Sequence, residues 1–285
     1  MTPQRSPLYF AFRRFTDNKA AVISGVVLLV IILMAIFAPL ITPTGYEDQH
    51  YLTEALAFPS RAHWLGIDDL GRDFFTRNVF GARVSLSIGF SAALFSVLIG
   101  IPLGAVAGFY GGWTDWAVMR LIELFSVVPP LLAAMLLGAL TNGGFRTIVL
   151  IAALFGWVQV CLLVRAQVKA FREKEFVRAA QALGATPGYI IRRHLIPNSV
   201  SPIIVGFVLT IPLAMMLEAS LSFLGIGVPP PMPSWGQMIN VGMNFMYFYW
   251  HLAVFPTAAL AITVLATTLF GDGLRDALDP TLKGR

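Results

Sequence analysis

The sequence predicts an all-α polytopic membrane protein with about six transmembrane helices. Three observations carry that expectation. Hydrophobic residues make up 57% of the 285 positions and charged residues 12%, where soluble domains carry about 25% charged residues. Mean hydropathy is +0.75. Uncharged apolar stretches recur at roughly the 20-residue length that a helix needs to cross a hydrocarbon core. Length alone suggests one or two soluble domains, and composition overrides that prior. The formal net charge of +5 would suit nucleic acid. The basic residues sit beside apolar spans, however, as membrane topology requires, which excludes that class. The single cysteine, Cys161, lies in an apolar run. It excludes an intrachain disulfide and reads as a small core residue.

The elements follow in order. Tyr9 to Thr16 is short, aromatic and basic. It reads equally as an amphipathic helix at the inner surface and as a frayed terminus carrying topology-setting charge. Lys19 is followed by no charge until Glu47, and Ala21 to Thr42 fills the gap as the first span. It is too long for the core of a signal peptide and lacks a small-residue cleavage site after it, so it reads as uncleaved. The second span lies near Ser85 to Gly108 and the third runs from Trp116 to Leu140, where Pro129-Pro130 should bend it. Thr147 to Val164, extending toward Lys169, is the fourth span. Val200 to Leu224 is the fifth and His251 to Phe270 the sixth. Met238 to Trp250 is apolar but short. It is placed as an interfacial or re-entrant segment, with Trp235, Tyr247, Tyr249 and Trp250 at headgroup level. A seventh span there is the alternative count. Before it, Gly225, Gly227, Pro229-Pro230-Pro231 and Pro233 make a stiff external segment.

Six spans put both ends on one side. Arg5, Arg13, Arg14 and Lys19 precede the first span, and Lys169, Arg172, Lys174, Arg178, Arg192 and Arg193 cluster around the stretch Phe171 to Asn198. The loop after the first span mixes Arg61, Arg72, Arg77 and Arg83 with six acidic residues. The lysine and arginine bias therefore places both termini and the Phe171–Asn198 loop in the cytosol.

That loop is built for water and for a partner. Arg172, Glu173, Lys174, Glu175 and Arg178 open it, Ala179-Ala180 favour helix, Gly184-Ala185 break it, Pro187 restarts a helix and Pro197 stops it. The pattern Ala179-Ala180, Gly184, Ile196-Pro197 resembles the Glu-Ala-Ala loop of ATP-binding-cassette (ABC) importer permeases. Arg178 stands where that family usually has Glu, and Ile196 where Leu is usual. His63 to Thr76, Tyr110 to Asp115, Glu218 to Trp235 and Gly271 to Pro280 are similar, in the same order, to stretches of the dipeptide, oligopeptide and nickel branch. The resemblance covers nearly the whole chain.

The resemblance implies the type I ABC importer permease fold, in the C-type subunit of such a system, in a bacterial or archaeal cytoplasmic membrane. It implies a second, homologous B-type permease, two cytosolic ATPase subunits that bind ATP and magnesium, and an external substrate-binding protein. Residues 1–82 would hold the N-terminal segment, first span and external loop, residues 83–272 the permease domain with its coupling loop at 171–198, and residues 273–285 a cytosolic tail. Glu175, Arg178, Ala179, Ala180, Gly184, Ala185, Arg192, Arg193 and Pro197 would form the ATPase-coupling element, with Ala179 and Ala180 keeping its first helix slim. Glu175, three residues before Arg178, is placed to pair with it.

No catalytic constellation assembles. The sequence has no glycine-rich phosphate loop ending in Gly-Lys-Ser/Thr, so ATP must be bound by another chain. The four histidines are scattered without metal-ligand spacing. His63, Asp68, Asp69 and Asp73 read as turn and capping residues ahead of a metal cluster. Charges within spans are the better functional candidates, because burying them in lipid costs several kcal/mol. Arg120 and Glu123 share a helix face and can pair, with Arg120 near the cytosolic end. Glu218 is expected to accept hydrogen bonds from Ser220, Ser222 or a neighbouring helix, and otherwise to line the pathway. A secondary transporter or channel subunit is the alternative class. The scarcity of midplane charges and the absence of an evident repeat count against it.

Overall fold

The computed structural model describes residues 7–141 and 143–278. Its regular structure among the described residues is helical, with one isolated bridge between Ile67 and Asp73. The helices are α1 (Pro7–Asp17), α2 (Lys19–Ile36), α3 (Ala38–Ile41), α4 (Phe74–Tyr110), α5 (Gly112–Val127), α6 (Pro130–Leu140), α7 (Phe145–Arg172), α8 (Glu175–Ala182), α9 (Pro187–Ile190), α10 (Ile196–Asn198), α11 (Val200–Phe223), α12 (Trp235–Asn244) and α13 (His251–Leu278). Five of them are long and apolar enough to span a bilayer, and α5 with α6 makes a sixth crossing bent by 79°. The bend falls at Val128-Pro129, which are extended before Pro130 opens α6, as the proline pair predicts. Arg5 and residues 279–285, including Lys283 and the Asp279-Pro280 end of the last family-like stretch, lie outside the described residues.

Local chemistry sets the helix ends. Asn18 accepts the Ala21 amide at 3.1 Å to start α2, Asp73 the Thr76 amide at 2.8 Å to start α4, and Ser234 the Gln237 amide at 3.2 Å to start α12. The sequence places the second span at Ser85. The helix starts eleven residues earlier and runs 37 residues, about 55 Å at 1.5 Å per residue. Its early turns behave like a soluble core. Phe74 and Val79 are buried, and Arg77 reaches Asp68 at 3.3 Å and the Tyr46 carbonyl at 3.1 Å. Asp68 also accepts the Leu70 and Arg72 amides, so Asp68 closes a turn and Asp73 caps α4. The last span also overruns its expected end at Phe270, because Gly273 on α13 seats against Ala21 of α2.

The most extensive helix pairing is α4 with α7. Gly100, Gly104 and Gly108 present one bare face of α4 to the α7 backbone. Added Cβ atoms would lie 2.9 Å from the Trp157 carbonyl oxygen, 2.5 Å from that of Cys161 and 2.7 Å from that of Arg165. Four-residue steps match on both helices and both run in the same direction. Small residues at this spacing let spans approach where lipid gives no hydrophobic drive. Parallel neighbours need a full crossing between them, so α5–α6 spans the bilayer and is not re-entrant. Six crossings result. One end of the bundle gathers α1, the α4–α5 turn, residues 173–199 and the end of α13. The other gathers residues 43–73, 143–144 and 224–250.

The segment expected at headgroup level divides in two. Trp235 is not an interfacial anchor. It is 2% exposed and donates its indole N–H to Asn78 Oδ1 at 3.0 Å. α12 is a ten-residue helix, about 15 Å long and too short to cross. After it Tyr247 and Phe248 project from the structure.

Candidate functional site

The Phe171–Asn198 loop forms two helical pieces around a left-handed glycine. α8 ends at Ala182 with Leu183 as its cap, and Gly184 takes φ +81°, a region that residues with a Cβ enter at a cost. Its amide bonds the Gln181 carbonyl at 2.9 Å, and the Ala185 amide bonds that of Ala180 at 3.0 Å, closing the helix end. The second piece starts at Pro187 as expected. It does not stop before Pro197: α9, a π-helical stretch Ile191–Leu195 and α10 run on as one helix to Asn198. Proline has no N–H to bond the carbonyl four residues back, and the widened turn absorbs the gap.

One side of this element is fixed to the spans. Val177, Ile190 and Leu195 are buried in a cluster with Ala105 and Phe109 of α4 and Val160, Val164 and Val168 of α7. The other side is open. Phe176, Leu183 and Tyr189 are exposed, Leu183 at 89%, beside exposed Glu175, Arg178, Ala179, Arg192, Arg193 and Pro197. Ala180 and Ala185 pack partly into the cluster. Slimness toward the spans therefore applies to Ala180, while Ala179 faces out. Arg178 pairs with Glu173 at 3.1 Å, not with Glu175. Glu173 lies in the connection just ahead of α8, and the Arg178 side chain reaches back toward the helix start to meet it.

The membrane-depth charges separate into three arrangements. Arg120 and Glu123 pair on α5 with both side chains more than half exposed, and the Arg120 guanidinium lies 5.7 Å from the Trp116 ring centre. Glu218 is fully buried. It accepts from Ser222 at 2.7 Å and from Ser85 of α4 at 3.1 Å. Ser220 turns away and donates to the Met216 carbonyl. Ser85 accepts the Trp235 amide at 3.3 Å, and Ser234 donates to Ser222 at 3.4 Å. Donors therefore run from the α12 N-terminus inward to the carboxylate. This knits α4, α11 and α12 together around the Glu218 carboxylate.

The third arrangement was missed in the sequence. Asp115, near the start of α5, and Arg165 of α7 form a two-pronged ion pair, with Nη2 to Oδ2 at 2.7 Å and a second bond from Nε to Oδ1. Asp115 lies within the family-like stretch Tyr110 to Asp115, and Arg165 is the first charge after the fourth span's apolar run. Those two facts were the available signal. The Gly100, Gly104, Gly108 spacing was a signal for the α4–α7 contact.

Comparison with known proteins agrees with this architecture. Residues 100–284 match the family model "Binding-protein-dependent transport system inner membrane component", and residues 6–59 match "N-terminal TM domain of oligopeptide transport permease C". The chain is 42% identical over 274 residues to the oligopeptide transport system permease protein OppC of Bacillus subtilis, covering 96% of this chain and 89% of that protein. It is 40% identical over 282 residues to the glutathione transport system permease protein GsiD of Pectobacterium atrosepticum, covering 98% and 93%. It is 42% identical over 282 residues to the dipeptide transport system permease protein DppC of Bacillus subtilis, covering 99% and 88%. Among solved structures, an inward-facing form of the MetNI methionine ABC transporter superposes with TM-score 0.56 at 19% identity, over 70% of this chain and 94% of the matched chain. That likeness speaks for the fold alone. The chain belongs to the family of binding-protein-dependent transport system inner membrane components and is a multi-pass, C-type permease subunit of an ABC importer.

Proposed function

We propose that this permease carries di- or oligopeptides, or a related small solute such as a nickel chelate, into a bacterial or archaeal cell, driven through the Phe171–Asn198 loop. Family membership implies ATPase subunits and a substrate-binding protein. The finer assembly has two cytosolic ATPases carrying ATP and magnesium, a homologous B-type permease completing the pathway, and the binding protein outside. The names of the relatives, which transport dipeptides, oligopeptides and glutathione, support the substrate class.

The observation that carries the coupling reading is the two-sidedness of the loop. Val177, Ile190 and Leu195 anchor it in the α4–α7 core, while Leu183, Tyr189, Arg192 and Arg193 face away from the bundle. A rigid element with an apolar and basic outer surface transmits a partner's movement, where a slack loop would absorb it. Arg13, Arg14, Lys19, Lys169, Arg172, Arg192, Arg193 and Arg275 share this end of the bundle, which favours placing both termini and the loop in the cytosol. Arg120 and Glu123, exposed at membrane depth, cannot face lipid cheaply. They turn that face of α5 toward a hydrated pathway or the second permease.

A Leu183→Cys chain co-expressed with its ATPases tests the coupling reading. Crosslinking to an ATPase subunit is expected. An ATPase that co-purifies yet never crosslinks at Leu183 or at Tyr189→Cys would overturn it. ATP-dependent uptake of labelled dipeptide by the reconstituted importer tests the substrate class.

A further inference from the structure

We propose that the Asp115–Arg165 ion pair is a positioning contact that makes the bent span α5–α6 follow the coupling loop. The inference rests on the coupling role just given to that loop. Arg165 lies on α7 less than two helical turns before the loop begins, on a stretch whose backbone is locked to α4 through Gly108. The loop's buried side chains enter the same cluster as Val164 and Val168. The loop, the end of α4 and the end of α7 therefore form one rigid piece.

α5 is attached to that piece differently. It leaves α4 through Gly111 and Gly112, with φ of +66° and +53°. A Cβ at Gly112 would meet nothing within 4 Å and one at Gly111 would meet only the Arg172 guanidinium at 3.3 Å, so the turn is a two-glycine joint with little packed against it. Along α5 only Ile122 is buried. Val118, Met119, Ile122 and Phe125 touch α7 residues such as Trp157 and Cys161. Apolar contacts of this kind hold register weakly in a bilayer, because lipid tails are equally apolar. The bidentate Asp115–Arg165 contact fixes both distance and orientation. Its side chains are about one-fifth exposed, so water screens it less than a surface pair. Beyond the hinge, α5 carries the exposed Arg120–Glu123 pair and leads into the 79° bend. The charged contact thus adds an oriented link between the loop's rigid piece and the only broken span among the described residues.

The test uses the complete importer in liposomes and reads substrate taken up per ATP hydrolysed. Asp115→Asn and Arg165→Gln should each lower that ratio by about tenfold, within the 5–150-fold range of coupling effects, while ATP hydrolysis continues. The exchange Asp115→Arg with Arg165→Asp should restore part of it. On a Cys161→Ala background, Asp115→Cys with Arg165→Cys, joined by a bifunctional thiol reagent whose span matches the lost pair, supplies a covalent link in its place, and the crosslinked protein should keep its coupling. An unchanged ratio in both single variants, or transport blocked by the crosslink, would overturn the proposal. Loss of Leu183→Cys crosslinking to the ATPase would instead signal failure of the coupling-loop reading.

Discussion

Ser85 on α4 donates to Glu218 on α11 at 3.1 Å across 133 positions of sequence, and the Trp235 amide donates to the same serine oxygen. One hydroxyl thus joins three helices around a fully buried carboxylate. Glu218→Ala leaves the Ser85 and Ser222 hydroxyls without their acceptor, a loss of about 1–3 kcal/mol each. The detergent-purified protein should melt several degrees lower. Glu218→Gln keeps shape and one acceptor, and should lose less. Equal melting of all three forms would rule out the structural role.

The glycine face of α4 predicts a steric effect. Gly104→Val would put a side chain 2.5 Å from the Cys161 carbonyl oxygen, where backbone must move, at a cost of about 1–3 kcal/mol or more. Membrane accumulation and melting temperature should both fall. Gly188→Val, whose Cβ meets nothing within 4 Å, should leave both unchanged.

Gly184 predicts the opposite division of effects. Space around it is open, but its φ of +81° costs a β-branched residue roughly 1–2 kcal/mol. Gly184→Val should insert normally, while uptake falls and the ATPase is released or uncoupled. Uptake and ATPase retention equal to the parent chain would show a tolerant turn.

Arg178 should tolerate reversal. Its pair with Glu173 has both side chains about two-thirds exposed, and such pairs are worth about 0–1 kcal/mol. Arg178→Glu should keep most uptake and ATPase binding. A near-complete loss, rescued by an acidic-to-basic change on the ATPase, would make Arg178 an interface charge.

Orientation is tested by labelling intact cells with an impermeant thiol reagent. Trp64→Cys and Tyr247→Cys, both exposed at one end of the bundle, should react from outside. Leu183→Cys, at the other end, should not. Reaction of Leu183→Cys alone would invert the assignment.

The apolar runs and the Pro129-Pro130 pair made the six crossings and the bend readable before any coordinates. Spans read from hydropathy stop where charge begins, however. The early turns of α4 were therefore hidden by Arg77, which is buried against Asp68. Trp235 reads as a headgroup anchor by type alone, because its Asn78 partner is remote in sequence. The Glu173 pairing of Arg178 escaped helical spacing because Glu173 precedes the helix. Within the loop, Gly184 was legible because few residues accept its backbone angle. Asp115 and Arg165 were not joined, since no local pattern connects a turn after one span to the foot of another.

The glycine face also constrains biogenesis. Its partner helix follows about sixty residues later, which is roughly 3–12 s of synthesis at 5–20 residues per second. Until α7 emerges, α4 waits in the bilayer with its notch unfilled, and a complete intervening crossing must be inserted before the notch can close. Slow or misordered insertion of α5–α6 therefore prolongs the time this notch spends without its partner helix.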